Sequence, residues 1–427
     1  MTRASSPDVP VLIPLGQPLG KIFESDDEAH YQVRLGSEVY RLSMAEAAVW
    51  LQLHAARPGT LRGMDRGLLA ALDIDRGAID SSRGLELLLE LGLVAEVQLG
   101  LPVARDSFAE AYRLLPLQTC IGNSEEASDV FTLAAGDQRT VGVDAVLRQV
   151  LVSGPTEASL DSCCDILSGA LSVAPETAEL GTGQALVEFV LGRVHGPLSA
   201  HACYFDRAIE LSLATADAAR ESSATAQVTV DEDDRTEYGT YGVGYLAGAR
   251  HGRFGLTGID VRLGREMAEL PDVASWLTWS YAHGFYEDGR LQDDPAQIIE
   301  AAGRAGVDAA AGHLRHLSNT GLVQQPDGAE VIEMAATHRF EPLLAGIGAT
   351  PDEPGTFYLG VNADQVVTAL TDAEYEVWRS AHLSESLLLA AKDAGRADSV
   401  ADLVDYLRDV QALTVKRAGY LDLVRTP

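Results

Sequence analysis

Short runs of alternating apolar and polar residues precede a helical pattern near the start of the chain. The stretch from Tyr31 to Leu35 alternates in this way, and Val39 to Leu42 resumes the alternation after Gly36-Ser37. A period of two predicts strands, and the Gly-Ser pair predicts the turn that joins them into a hairpin. Residues 43–54 then follow a period near four, which predicts an amphipathic helix. The chain is therefore expected to open with a hairpin and a helix, after a leader that ends near residue 13.

The helical segment contains a tryptophan and a histidine four residues apart, and this pair recurs. Leu42 to His54 and Leu370 to His382 share Leu, Ala, Glu, Val, Trp and His at the same positions. In each copy Ser43 or Thr371 is followed three residues later by Glu, which predicts a capping box. The three pairs are Trp50 with His54, Trp279 with His283, and Trp378 with His382. We interpret them as structural markers of a repeat, in which the His packs against the Trp one helical turn earlier; a ligand or catalytic role for the His is the alternative interpretation.

A second recurring feature closes the repeats. Leu85 and Leu88 lie three residues apart in a predicted helix that runs into Gly92-Leu93-Val94, and residues 314–323 follow the same order. A looser copy spans residues 406–415. A helix that enters a short strand through a glycine is common in winged-helix domains. Each repeat therefore resembles a winged helix.

Together these features predict an α+β, helix-rich fold of four winged-helix-like repeats in tandem, arranged as two halves of two repeats each. Each repeat is expected to contain a small β-hairpin, three helices and a wing. The second repeat is degenerate, because it has neither the Trp nor the His. The predicted boundaries are 14–100 for repeat 1, 113–205 for repeat 2, 251–325 for repeat 3 and 340–425 for repeat 4, with an acidic and Ala-rich connection at 206–250.

The chain is strongly acidic, with 63 Asp and Glu against 32 Lys and Arg and a formal net charge of −31. Such a charge repels phosphates, so nucleic acid is not the expected partner. The sequence has no apolar run of about 18 residues and no apolar core of a signal peptide near its start. We therefore expect a cytoplasmic protein without membrane contact. The composition, rich in Ala, Asp, Gly and Arg and poor in Lys, is typical of a high-GC bacterium such as an actinobacterium.

The usual signatures of enzymes are absent from the sequence. It contains no His-Glu-x-x-His, Gly-x-Ser-x-Gly, P-loop or Cys-x-x-Cys motif. The best candidate set for a metal is Cys163, Cys164, His195, His201 and Cys203. Adjacent cysteines with irregular histidine spacing differ from a zinc finger, and buried free cysteines are the simpler interpretation. We predict no metal, no cofactor and no catalytic residue.

The segment from Leu42 to Trp50 resembles a known family. A strand that ends in Leu, a polar cap and a Trp eight residues after the Leu are similar to the winged-helix fold of the peptide chaperone in pyrroloquinoline quinone biosynthesis. RiPP recognition elements, which bind the leader peptides of ribosomal natural products, share that fold. Residues 370–378 repeat the spacing, whereas Glu46 and Glu374 stand where the family usually has a small residue.

The resemblance implies that a peptide adds as an extra strand to the edge of a hairpin. In repeat 1 the peptide would lie beside the second hairpin strand, in a groove walled by the Leu-rich third helix, and in repeat 4 the corresponding strand is 365–370. The implied peptide-binding residues are Val39, Tyr40, Arg41, Leu42, Leu85, Leu88, Val366, Val367 and Leu370. For both strands, an edge that is covered by the neighbouring repeat is the alternative interpretation.

The leading hypothesis is a non-catalytic peptide- or protein-binding protein. It would be an accessory or recognition factor in a bacterial natural-product pathway of the RiPP type, with a leader peptide or a biosynthetic enzyme as its partner. One alternative is a winged-helix transcription regulator, against which the net charge and the acidic Glu86 and Glu90 of the third helix argue. Another is a pathway enzyme or resistance protein with a pocket between the two halves, where Tyr281 and His283 would lie.

Overall fold

The computed structural model describes residues 9–25, 28–54, 63–76, 81–173, 175–210, 228, 239–328 and 330–425 of the 427-residue chain. Runs of strands are followed by runs of helices along it, and most strand pairs are antiparallel, which confirms the α+β class. The chain divides into two compact units. The first unit comprises Met1–Gln118, Thr132–Glu210 and Ala345–Val367, and the second unit comprises Thr119–Phe131, Leu211–Leu344 and Thr368–Pro427.

The first quarter of the chain begins and ends with strands that pair with each other. Its elements are β1 (Val11–Pro14), β2 (Gln17–Ser25), β3 (Glu28–Leu35), β4 (Glu38–Leu42), α1 (Met44–His54), α2 (Arg66–Arg76), α3 (Ser81–Glu90) and β5 (Val94–Val97). β1 pairs antiparallel with β5, and Val11 lies opposite Val97. The opening strand thus begins three residues before the predicted boundary at 14, because Leu12 and Ile13 are fully buried core residues.

The second quarter repeats this order with more helices. Its elements are α4 (Pro102–Ala111), β6 (Tyr112–Pro116), β7 (Thr119–Gly122), β8 (Val130–Ala135), β9 (Gln138–Asp144), α5 (Ala145–Ser153), α6 (Leu160–Leu171), α7 (Gly183–Leu191), α8 (His195–Ser199) and β10 (Cys203–Arg207). β6 pairs antiparallel with β10, and Tyr112 lies opposite Arg207. The helix α5 follows the hairpin β8–β9 in the place where the first quarter has its Trp helix.

The third quarter begins earlier than the sequence pattern predicts. Its elements are β11 (Tyr241–Gly242), β12 (Tyr245–Gly252), β13 (Gly255–Leu263), β14 (Glu266–Leu270), α9 (Val273–Ala282), β15 (Phe285–Glu287), β16 (Arg290–Gln292), α10 (Pro295–Arg304), α11 (Ala310–Asn319) and β17 (Val323–Gln324). β11 pairs with β17, and β12 pairs with β13. β11 and the first six residues of β12 fall within residues 206–250, which were assigned to a connection. The acidic and Ala-rich part of that connection, residues 211–227 and 229–238, lies outside the described residues.

The fourth quarter again begins and ends with paired strands. Its elements are α12 (Glu330–Thr337), β18 (His338–Pro342), β19 (Ala345–Thr350), β20 (Glu353–Asn362), β21 (Gln365–Thr371), α13 (Asp372–Ser380), α14 (Leu387–Asp393), α15 (Val400–Val415) and β22 (Gly419–Leu423). β18 pairs antiparallel with β22. The predicted capping box is confirmed here, because Thr371 and Glu374 exchange side-chain and backbone hydrogen bonds at the start of α13.

The hairpin strands of the repeats assemble into sheets. In the first unit the strand order is β4-β3-β2-β19-β20, and the residues of β21 up to Val367 continue it. β19 runs parallel to β2, and a Cβ on Gly20 would overlap the backbone of Gly348. In the second unit the order is β14-β13-β12-β7, and β12 meets β7 in parallel with Ala249 opposite Gly122. Glycine is required at these crossings because the two backbones approach within the space of a Cβ atom.

The three tryptophans of the repeat make the same hydrogen bond. Each indole Nε1 donates to a backbone carbonyl at the end of the opening strand of its own repeat. The donor and acceptor pairs are Trp50 to Leu15 (3.2 Å), Trp279 to Val243 (3.0 Å) and Trp378 to Leu343 (3.0 Å). The residue after each carbonyl has a positive φ, namely Gly16 (95°), Gly244 (106°) and Leu344 (69°). The indole therefore holds the point where the chain turns from the opening strand into the hairpin.

A buried polar network occurs twice, once in each unit. In the first unit Asp206 accepts hydrogen bonds from Arg113 (3.2 Å) and from the backbone N–H of Gly36 (2.6 Å), and Arg34 donates to Tyr204 (3.5 Å). Burial acts to raise the pKa of Asp206, but the adjacent Arg113 and Arg34 outweigh it and hold that pKa below its usual value. The carboxylate is thus kept charged by its partners.

The second unit contains the matching set. Asp422 accepts from Arg262 (2.5 Å) and from the backbone N–H of Gly264 (2.7 Å), and Arg262 donates to Tyr420 (2.8 Å). Arg262 follows Val261 just as Arg34 follows Val33, so the sequence repeat places the two guanidinium groups equivalently. In both units the network joins the hairpin of one repeat to the closing strand of the next.

Removing the indole donor is expected to destabilise the fold. We expect Trp279→Phe to lower the free energy of unfolding by about 1–3 kcal/mol, because the carbonyl of Val243 loses its buried donor. Urea denaturation followed by circular dichroism measures this change. Trp276→Phe, three residues earlier in α9 and half-buried, is the matched control. An equal loss in the two variants would contradict the role assigned to the hydrogen bond.

Removing the charge of a carboxylate in the buried polar network is expected to destabilise the fold more than removing the indole donor. Asp422→Asn leaves the Arg262 guanidinium buried without its anion, so we expect a loss of roughly 3–5 kcal/mol in unfolding free energy. Glu300→Gln breaks an exposed ion pair with Arg304 and should change stability by about 0.5 kcal/mol or less. Equal effects of the two substitutions in urea denaturation would refute the importance of burial.

Candidate functional site

The strand β4 is the last strand of its sheet in the described part of the chain. It forms a hairpin with β3 through the two-residue turn Gly36-Ser37, and Leu35 lies opposite Glu38. Gly36 has a φ of 62°, which glycine accepts without strain and which suits a tight hairpin turn. The predicted hairpin is thus present, and its second strand forms an edge of the sheet.

The register of this hairpin decides which backbone groups face away from the sheet. Across a two-residue turn the flanking pair, Leu35 and Glu38, exchanges both hydrogen bonds, and hydrogen-bonded and non-bonded pairs then alternate. Val39 lies opposite Arg34 and Arg41 lies opposite Gln32, so these are the non-bonded pairs. The N–H and C=O groups of Val39 and Arg41 consequently point outward. These are the groups that an added strand would bind.

The side chains of β4 are held in place on one face and exposed on the other. Tyr40 donates to Glu38 (2.6 Å), and Arg207 donates to both Glu38 (3.0 Å) and the Tyr40 hydroxyl (3.2 Å). The hydrogen bond to Glu38 raises the pKa of Tyr40. Leu42 is buried, whereas Val39 is 44% exposed and Arg41 is exposed beside Glu24. A peptide beside β4 would therefore meet a rigid backbone with one exposed apolar side chain.

The corresponding strand in repeat 4, β21, is also a terminal strand, but its edge is partly occupied. Val366 is 40% exposed and Leu370 is buried. Val367 is half-buried, and its Cγ1 would lie 2.8 Å from a Cβ placed on Gly136. Lys416 donates to the carbonyl of Ala369 (3.2 Å). These contacts leave less of the strand accessible than in β4.

A third edge strand, β14, was not predicted from the sequence. It is the last strand of its sheet among the described residues, and Leu263 lies opposite Glu266 across the turn Gly264-Arg265, as in the β3–β4 hairpin. Met267 occupies the place of Val39 and is 41% exposed. The signal was in the sequence, because Val261 to Gly264 repeats Val33 to Gly36. The strand itself, however, has little similarity to β4.

The two leucines of α3 that were assigned to the groove wall are buried. Leu85 and Leu88 are 2% and 0% exposed, because this face of α3 packs on α1, where a Cβ on Gly84 would meet Val49 at 2.9 Å. The exposed positions of α3 include Arg83 and Glu86. Leu85 and Leu88 therefore belong to the core, and the amphipathic spacing that suggested a groove wall reflects helix packing.

In repeats 1 and 3 the histidine packs against its tryptophan. The rings of Trp50 and His54 are 4.3 Å apart, those of Trp279 and His283 are 4.6 Å apart, and His54 stacks on His201 at 5.1 Å. In repeat 4, Trp378 is fully buried and His382 is 8% exposed. Burial, with a smaller contribution from the neighbouring His201, lowers the pKa of His54 well below its usual value. Burial therefore favours the uncharged form of the His54 ring.

Four of the five residues considered for a metal are buried, and His201 is half-buried. Cys163, Cys164 and Cys203 are buried free thiols, and burial raises their pKa values. Burial lowers the pKa of His195 to about 4, and that of His201 likewise to about 4. Across the described ranges, no group of three or more His, Cys, Asp or Glu side chains is arranged to hold a metal ion.

Comparison with known proteins provides no relative, since no protein-family model, curated protein or solved structure matches the chain. Within the residues that the structure describes, no helix is long and apolar enough to cross a membrane.

The buried histidines predict a stability that depends on pH. Burial lowers the pKa of His195, His201 and His283 to about 4, whereas histidine in an unfolded chain titrates near 6.5. The unfolded state thus binds more protons in this window, so stability is complete above about pH 6.5 and decreases as the pH falls toward 4. We expect the urea midpoint to fall accordingly. The decrease should be smaller in His283→Gln and unchanged in His316→Gln, which alters an exposed histidine. A midpoint that is constant over this window would contradict the prediction.

Proposed function

We propose that the protein is a non-catalytic peptide- or protein-binding factor built of four winged-helix-like repeats. In this proposal it serves as an accessory or recognition factor in a bacterial biosynthetic pathway of the RiPP type, and its partner is a leader peptide or a pathway enzyme. The recurring order of paired outer strands, an edge hairpin and a Trp helix supports the winged-helix interpretation.

The observation that carries the proposal is the accessible edge of β4. Val39 and Arg41 direct their backbone groups away from β3, and Val39 leaves an apolar side chain exposed beside them. A partner strand would gain main-chain hydrogen bonds from these groups and specificity from alternate side chains. The edges of β14 and β21 are further candidates for strand addition. The hairpin that contains β14 has the same register as the β3–β4 hairpin.

The acidic surface favours a peptide partner over nucleic acid. A net charge of −31 opposes the approach of a phosphate backbone, and the exposed side of α3 carries acidic groups such as Glu86. Two alternative functions remain to be distinguished from peptide binding. One is a DNA-binding regulator, and the other is an enzyme or resistance protein that binds a small molecule.

Proline at position 39 is expected to abolish peptide binding while leaving the fold intact. The N–H of Val39 faces outward, so Val39→Pro removes a donor that the partner strand needs but no hydrogen bond of the β3–β4 ladder. We expect the affinity for the peptides encoded near the gene to fall roughly tenfold or more, measured by fluorescence anisotropy. Val39→Thr, which keeps the N–H and the β-branched shape, should bind like the wild type.

Proline at the neighbouring position tests the register itself. The N–H of Tyr40 faces β3, so Tyr40→Pro should lower the urea midpoint, whereas Val39→Pro should not. Met267→Pro makes the equivalent change at the outward position of β14 and reports whether that edge binds instead.

Wild-type affinity in a folded Val39→Pro variant would exclude strand addition at β4. Salt-sensitive binding of random duplex DNA without a peptide response would favour the regulator. No binding of either would overturn the peptide proposal and favour a small-molecule ligand.

A further inference from the structure

The second unit contains a surface recess that the strand-addition proposal does not use. It has a volume of about 260 Å³ and lies between the end of α9, the hairpin β15–β16 and α10. Three of its side chains are aromatic, two form an acid–base pair and two are small. The lining residues are Tyr281, Phe285, Tyr286, Glu287, Ala301, Arg304 and Ala305.

The hairpin that carries the recess is built to be rigid. Asp288 and Gly289 both have a positive φ (51° and 75°), and Glu287 lies opposite Arg290, which is the geometry of an Asp-Gly turn of type I′. Tyr281 at the end of α9 packs edge-on against Phe285, with the ring centroids 5.5 Å apart. The aromatic groups and the Glu287 carboxylate are thus positioned before any ligand arrives.

The electrostatic environment of the recess is acidic. Among the described residues that line it, Arg304 is the one cation, and this guanidinium already donates to Glu287 (2.9 Å) and Glu300 (3.3 Å). Burial raises the pKa of Tyr286, and the nearby carboxylates Glu374 and Asp409 raise it further. Glu374 pairs with Lys416, and Asp409 pairs with Arg396. Together with Glu287, Glu300 and Arg304, these residues make four carboxylates and three cations at and around the recess.

We propose that this recess binds an alkylguanidinium or alkylammonium group, either of a small organic cation or of a basic side chain. Aromatic faces attract cations through the ring quadrupole, and the Glu287 carboxylate, whose Oε1 accepts from Arg304, can accept a further charged hydrogen bond at its other oxygen. An anionic ligand would have to displace the carboxylates that already occupy Arg304, and the net charge of −31 disfavours its approach. A neutral apolar ligand would gain little, because Tyr286 is 46% exposed and the recess is open to water.

The test titrates the full-length protein with butylguanidinium by ligand-observed NMR, with butylurea as the neutral analogue of the same shape. We expect saturable binding of butylguanidinium only. Tyr286→Leu, which removes the aromatic face but keeps apolar bulk, should weaken it roughly two- to fivefold. Glu287→Gln should weaken it by a similar factor. Glu300→Gln is the matched control, because Glu300 binds the same Arg304 but does not line the recess.

A second arm distinguishes the two sources of the cation. A short peptide with one central arginine is compared with the same peptide containing citrulline. Tighter binding of the arginine peptide than of butylguanidinium assigns the recess to a basic side chain, and the reverse order assigns it to a small organic cation. The proposal would be overturned if butylurea bound as tightly as butylguanidinium. It would also be overturned if Glu287→Gln and Glu300→Gln weakened butylguanidinium binding equally. Val39→Pro should leave this binding unchanged, so failure here is separable from failure of strand addition at β4.

Discussion

The hydrogen bond from an indole nitrogen to a strand carbonyl is the contact on which the architecture of repeats 1, 3 and 4 depends. It occurs at Trp50, Trp279 and Trp378, and each time the accepting carbonyl precedes a residue with positive φ. A buried carbonyl without a donor is costly, so the bond and the turn stabilise each other. The turn sets the direction of the hairpin that follows. It thereby determines where each repeat contributes strands to a sheet.

The duplicated Arg–Tyr–Asp networks explain why consecutive repeats stay together. In each unit a guanidinium on a hairpin strand donates to a tyrosine hydroxyl on the closing strand of the next repeat, and the aspartate two residues after that tyrosine accepts from the backbone N–H of the hairpin glycine. Buried charges of this kind are costly to separate, because each would be left without its partner. With the hairpins held in this way, the strands β4 and β14 end their sheets with the same register and with Val39 and Met267 exposed. A rigid edge is what strand addition needs, since a preformed backbone costs little entropy on binding.

Local features could be predicted from the sequence to the extent that neighbouring residues cause them. The β3–β4 hairpin follows from alternation around Gly36-Ser37, and the capping box of α13 follows from Thr371 and Glu374. Features that depend on distant partners could not be predicted. The spacing of Leu85 and Leu88 is the same for a groove wall and for a buried face, and only their contact with α1 decides that they are buried.

The sequence by itself determined the α+β class, the recurrence of the Trp helix and the hairpin that contains Val39. These depend on periodicity, capping and turn chemistry within a few residues, which are local properties. The tertiary structure decided that β19 pairs with β2, which are more than 300 residues apart, and that β4 forms an edge. It also brought Tyr281, Tyr286 and Glu287 around one recess. The physical reason is that edges and recesses arise from which surfaces remain unburied, and that is known only when every other element has packed.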